Sequence, residues 1–377
     1  MVNAASLLAI CNTTNPFPIS PGFDIASVVP YLYTLPVQVW SLGETAEALL
    51  ELHNPALSVF GASPFPVPTV SVGSVEALQY AVNKTVFGAV PDGFGNGLGS
   101  TADAVGLGVS AVLIGKTNAT YAAKVVEEVD YITTAAPLFS NGAISQRVAS
   151  PSLWADFIYM GPPFLSYVGA DQKNLSLIQT AYEQCGLYRE ILKTPSGAWE
   201  HIVGGVPSDA GVWATGNGFA AFGMVRVLAT LTKAPVAALA SWRGQAITDL
   251  THWIQEIVDA AIASPTDSSG LIGNYFNNTT PIGFGEVTGS ALITAAAYRM
   301  AVLQPKTFGK KYIAWADKMR AAMAKHVSSA GIAAPAINPM NWTDPTPVTT
   351  GSPEGQIFTV LMYTGWRDCV LAGVCPN

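Results

Sequence analysis

Apolar residues recur along most of this chain at helical spacing, and no alternating apolar–polar run of useful length interrupts them. The pattern predicts helices near residues 24–52, 72–86, 101–115, 121–136, 152–168, 172–188, 213–232, 237–263, 286–303, 309–329 and 353–371. Short strands are expected only inside loops, around 142–149 and 197–204. The connections alternate in length. Tight turns join helices at Gly115–Thr120, Gly169–Asn174, Thr232–Val236 and Pro305–Lys310. Long stretches rich in Gly, Pro and aromatic residues fill 137–151, 189–212, 264–285 and 330–352. Such alternation makes antiparallel helical hairpins repeat around an axis, with every long loop on one face. The expected fold class is therefore all-α: an (α/α)6 toroid over residues 1–377 as a single domain, with an extended N-terminal arm over 1–23. Binding residues are expected on the long-loop face, above the rigid scaffold.

The helices that follow the long loops begin alike. Ser100-Thr101-Ala102-Asp103, Leu153-Trp154-Ala155-Asp156, Val212-Trp213-Ala214-Thr215, Phe284-Gly285-Glu286 and Gly351-Ser352-Pro353-Glu354 each put a small or polar group in the first turn. In a toroid those turns converge on the mouth of the central cavity. A helix N-terminus also carries free N–H groups and partial positive charge, so any one of these acids could be a cap instead. Recurrence at equivalent places favours a shared site.

Composition narrows the function classes. Half of the 377 residues are hydrophobic and only 11% are charged, yet no apolar run reaches the ~18 residues of a spanning helix, so a membrane partner is not expected. A net charge of −7 with scattered Lys and Arg argues against nucleic acid. Sequons at Asn12, Asn83, Asn118, Asn174, Asn277, Asn278 and Asn341 exceed what this composition gives by chance, which points to a glycosylated, secreted protein. The four cysteines agree with an oxidising compartment. Cys369 and Cys375 lie close enough to close a small loop, leaving Cys11 and Cys185 as the other expected pair. No metal constellation is visible, and Gly216-Asn217-Gly218 lacks the preceding strand and following Lys of a phosphate loop, so no cofactor is expected. A monomer is expected.

Several segments carry a family resemblance. Leu153-Trp154-Ala155-Asp156-Phe157-Ile158-Tyr159-Met160-Gly161-Pro162-Pro163-Phe164 resembles the W-x-D-x-x-Y-M-x-x-P-F signature of the unsaturated uronyl hydrolases, glycoside hydrolase families 88 and 105. Gly197-Ala198-Trp199-Glu200-His201 is similar to their G-L-x-x-H element, and Trp213-Ala214-Thr215-Gly216-Asn217-Gly218-Phe219 to W-A/G-R-G-N-G-W. Gly351-Ser352-Pro353-Glu354 before an apolar helix matches in kind, so the resemblance runs from about residue 95 to 371. It implies a six-hairpin toroid and a hydrolase that removes a 4,5-unsaturated uronic acid from the non-reducing end of a lyase-generated oligosaccharide. The family hydrates the C4=C5 vinyl ether, and the hemiketal that forms opens to expel the aglycone. One Asp supplies the proton and then activates water.

On this reading Asp156 is the proton donor, Asp103 the second carboxylate, and His201 a substrate contact. Trp154, Trp199, Trp213, Thr215, Asn217 and Phe219 are candidate sugar-binding positions, with Trp342 a further possible stacking platform. Thr215 stands where the family carries Arg, and Phe219 where it carries Trp. A uronate carboxylate then needs another cation, and Arg147 or Arg189, both at long-loop edges, are the candidates. Two alternatives stay open: a conventional glycoside hydrolase using Asp103 and Asp156 as acid and base on a saturated sugar, and a glycan-binding relative without catalysis.

Overall fold

A computed structural model describes residues 15–377, so Cys11, Asn12 and most of the expected arm lie outside the described residues. Eleven long helices follow in order: α1 (Val39–His53), α2 (Glu76–Lys84), α3 (Gly108–Gly115), α4 (Ala119–Asp130), α5 (Phe157–Gln172), α6 (Leu175–Leu192), α7 (Ala214–Lys233), α8 (Arg243–Ala263), α9 (Val287–Leu303), α10 (Lys310–Met323) and α11 (Pro353–Leu371). The odd-numbered helices form an inner ring that closes where α11 packs on α1, and the even-numbered helices pack outside it. The sixth outer place, against α11, is taken by two single turns, Ile25–Val28 and Tyr31–Thr34. The sequence pattern predicts one helix over 24–52, but Pro30 and Pro36 break it into these pieces, since each removes a backbone donor and turns the preceding residue away from helical geometry.

Inner and outer helices differ as their environments require. In α7 every side chain from Ala214 to Leu231 is buried, whereas α8 buries one stripe that includes Leu250, Ile254, Ile257 and Val258 and leaves its other face to water. Small residues let the inner helices approach closely: a β-carbon on Gly223 of α7 would lie 2.0 Å from the Ile158 carbonyl oxygen of α5. The low charge content follows, because six helices have almost no solvent face on which to display it.

The end of the ring remote from the long loops is plugged by buried ion pairs. Glu51 of α1 accepts from Arg226 of α7 at 3.0 Å, and from Arg299 of α9 at 2.7 Å and Thr364 of α11 at 3.1 Å. Arg226 also pairs with Glu47, and Arg299 with Asp368. Four inner helices are thus tied at one place.

Each of four long loops leaves its outer helix through the same tight turn. Backbone bridges pair Leu138 with Ile144, Lys193 with Trp199, Thr266 with Ile272 and Val327 with Ala333. Gly142, Gly197, Gly270 and Gly331 occupy the same corner of each turn at φ between 79° and 93°, a left-handed conformation that costs other residues roughly 1–2 kcal/mol. Beyond the turns, Leu153–Trp154 (β1) pairs antiparallel with Ile202–Val203 (β2), joining two neighbouring loops. The strands expected at 142–149 and 197–204 are present only as these fragments.

Cys369 and Cys375 are bonded at the end of α11. Cys185 is a free, buried thiol in α6 that faces the helical core and donates to the Ala181 carbonyl; its expected partner, Cys11, lies outside the described residues. The exposed sequon residues Asn118 and Asn174 use their side-chain oxygens to cap α4 and α6.

Candidate active site

The heads of the inner helices and the long loops enclose a cavity of about 210 Å³. It is smaller than the ~300–1,000 Å³ typical of drug-sized ligands, and suits one sugar ring. Of the expected residues, Asp103, Arg147, Trp154, Asp156, His201, Trp213, Phe219 and Trp342 line it, together with Trp40, Gln146 and Glu354. The five first-turn positions therefore part company. Asp103, Asp156 and Glu354 face the cavity, whereas Glu286 turns onto the N–H groups of Thr288 and Gly289 at 2.5 and 2.6 Å as a true cap of α9.

Four expectations are corrected. Trp199 is fully buried in the core and does not line this cavity. Asn217 is a structural clasp: it accepts from the Trp199 N–H at 2.8 Å and donates to the Trp199 and Trp213 carbonyls at 2.9 Å, fixing the loop to α7. Thr215 is wholly buried in the first turn of α7, away from the cavity. Arg189 forms a two-pronged pair with Glu256 between α6 and α8 and lies over Trp253, on the outer layer. Its carboxylate partner satisfies it there.

Asp156 precedes α5 and makes no capping hydrogen bond. The pairing of Trp154 with Ile202, and the Ala155 N–H bond to the His201 carbonyl at 3.0 Å, bring the two loops together so that His201 Nε2 lies 3.4 Å from Asp156 Oδ2. The imidazole is packed among the rings of Trp154, Trp213 and Trp342. On its far side Nδ1 meets Asp209 at 3.0 Å. Asp209 is itself held by the Tyr275 hydroxyl at 2.6 Å and the Gly211 N–H at 2.9 Å. Burial alone would lower the His201 pKa, but the carboxyl groups of Asp156 and Asp209 on either side of the ring outweigh burial and raise it. Burial would likewise raise Asp209, and its bonds to His201, Tyr275 and Gly211 bring it below the ordinary value. Asp209→Asn should therefore move the His201 titration, followed by NMR, to lower pH; an unmoved titration would show that Asp156 alone sets it.

Asp103 is held from the opposite side. It accepts from Gln146 Nε2 at 2.7 Å, and burial pushes its carboxyl up to about 6 despite the bonds from Ser100 and Gln146 and the nearby Arg147. Arg147 lies over the Trp154 ring at 4.6 Å and donates one N–H to the Leu98 carbonyl at 3.1 Å. Among the described residues it is the one Lys or Arg lining the cavity. Trp40, Gln146 and Asp209 were missed in the sequence. Gln146 adjoins Arg147 in a loop singled out for other reasons, but Trp40 and Asp209 carry no local signal. Among the described residues no cluster of three metal-ligating side chains is present, and no helix is long and apolar enough to cross a membrane.

The chain is similar in structure to a possible member of the GH105 family from Salmonella enterica subsp. enterica serovar Paratyphi A, with 14% identity, a TM-score of 0.71, and 91% of this chain and 93% of that one covered. A family 105 glycoside hydrolase from C. acetobutylicum matches with 11% identity and a TM-score of 0.69, covering 92% and 99% of the two chains. An unsaturated glucuronyl hydrolase specific for heparin matches with 10% identity and a TM-score of 0.60, covering 94% and 98%. At these identities the likeness speaks for the six-hairpin fold. No curated protein matches the chain in sequence. The model of Glycosyl Hydrolase Family 88, however, matches residues 101–336, the segment that carries Asp103, Asp156 and His201 into one cavity, and the chain belongs to that family of hydrolases.

Proposed function

We propose that this enzyme removes a terminal 4,5-unsaturated uronic acid from oligosaccharides left by lyases acting on plant or algal cell walls. The observation that carries the reading is the meeting, in one single-ring pocket, of an untethered carboxyl, Asp156, and a single guanidinium, Arg147. Asp156 gives its proton to C4 of the double bond, leaving positive charge at C5 and the ring oxygen. The Asp156 carboxylate then takes a proton from water as that water bonds to C5. The hemiketal opens, and the aglycone leaves with its oxygen. Arg147, held over the Trp154 ring, replaces the cation that Thr215 does not supply, by pairing with the sugar carboxylate. The ion-paired plug below the ring favours entry of a chain end over passage of a whole chain.

Incubation with lyase-generated oligosaccharides, followed by ultraviolet absorbance of the conjugated double bond, tests this reading. Loss of absorbance supports it. Cleavage of saturated oligosaccharides alone would favour the second reading, an acid–base pair of Asp103 and Asp156, to which the raised Asp103 carboxyl lends weight. For the uronide, Arg147→Ala should raise KM by roughly tenfold or more with a smaller change in kcat, the loss expected for a charge-assisted bond; an unchanged KM would mean that the sugar is neutral. The reading includes secretion. Asn83, Asn118, Asn174, Asn277 and Asn341 are all exposed, as glycan acceptors must be.

A further inference from the structure

Beneath the cavity lies a carboxyl that the proposed chemistry leaves unused. Glu354, in the first turn of α11, is 1% exposed and lines the floor of the site. Its Oε1 accepts the Trp40 indole N–H at 2.9 Å, while Oε2 is buried without a partner. Glu44, one turn along α1 from Trp40, is wholly buried and neither of its oxygens has a partner. The charged groups that bear most on Glu354 are Asp156 at the head of α5, Glu286 at the head of α9 and the neighbouring Glu44, all of them acidic, while Arg147 and His201 line the same cavity. Asp103 adds to the same field at Glu44, and the one cation felt there is Arg226, in the plug below. A bare carboxylate in such a place is costly, and the group takes up a proton instead.

We infer that Glu354 is a further substrate-reading residue, whose protonated Oε2 donates a hydrogen bond to an oxygen of the sugar seated in the pocket. This rests on the glycoside-hydrolase reading of the same site. It accounts for an acid-rich floor in a pocket proposed to hold an acidic sugar: a neutral donor attracts an anionic oxygen that a carboxylate would repel. Burial, opposed by the Trp40 bond and reinforced by Asp156 and Glu286, pushes the Glu354 carboxyl up to about 8. Donation is therefore complete well below that pH and is lost as pH rises through it.

The test compares Glu354→Gln and Glu354→Ala with the parent enzyme on a confirmed oligosaccharide, with thermal melts to verify folding. Gln keeps a donor of the same reach but cannot ionise. Ala is expected to raise KM about tenfold, the effect of losing one bond to a charged group, and Gln to recover most of that loss. The parent KM should rise above pH 8, and the Gln variant's should not. Gln as damaging as Ala, or a Gln variant whose KM keeps the parent's pH dependence, would overturn the inference while leaving the glycosidase reading intact. A parent enzyme that neither cleaves nor binds any oligosaccharide of the panel would overturn both.

Discussion

Asp156→Asn should lower turnover by at least about 10²-fold while leaving the fold and KM close to those of the parent. A positioned acid–base group contributes typically 10²–10⁴-fold, and Asn keeps the shape of Asp without a transferable proton. The alternative, that Asp156 is a helix cap whose loss unfolds α5, is disfavoured by its geometry. Its side chain makes no capping bond, and Oδ2 is buried with only His201 in reach, at 3.4 Å. Contacts this loose are common before substrate arrives and tighten on binding. Steady-state kinetics with a thermal melt decides the matter. A folded, fully active Asn variant would remove Asp156 from the chemistry.

Glu51→Gln should destabilise the fold by about 3 kcal/mol, because it takes the negative charge from two buried guanidinium bonds, each worth about 1.5–3 kcal/mol. Arg226 and Arg299 would each lose one of two carboxylate partners and keep the other, Glu47 or Asp368. The network extends through both arginines, so apolar replacement of the three central residues would orphan Glu47, leave Asp368 with Arg367 alone, and is not expected to restore stability. Urea denaturation gives the figure. A loss under about 1 kcal/mol, the range of a surface pair, would mean that water reaches the plug.

The helices were legible because each of their two environments leaves a periodic mark, and the alternation of turn and loop lengths reveals the ring. The place of Asp156 and His201 in the cavity was legible because each stands inside a motif, Trp154-Ala155-Asp156 and Trp199-Glu200-His201, that the pairing of β1 with β2 brings together. Trp199 misled for a physical reason: a core indole and a sugar platform are the same residue in the sequence, and only the packing of the loop separates them. Asn217 misled likewise, since its clasp on the Trp199 backbone uses partners 18 residues away. Asp209 was invisible because its role depends on a loop folding back to His201, and no spacing rule governs such a return. Arg147 and Arg189 both sit at loop edges, and what divides them is Glu256, supplied by α8. The divided first helix was legible in Pro30 and Pro36 and was overread.

The repeated glycine turns bear on how such a scaffold can be re-aimed. Each loop is clamped where it leaves the outer layer, at Gly142, Gly197, Gly270 or Gly331, and anchored again where the next inner helix begins. Residues between those fixed points can change in number at a closure cost of only about 0.6 kcal/mol per doubling of length. Inserting residues between clamp and helix, with Arg147, Asp156, His201 and Asp209 kept, therefore alters what the rim of the cup admits while the ring beneath keeps its register. The four clamps mark the cutting sites for a library of chimaeras with new glycan preferences.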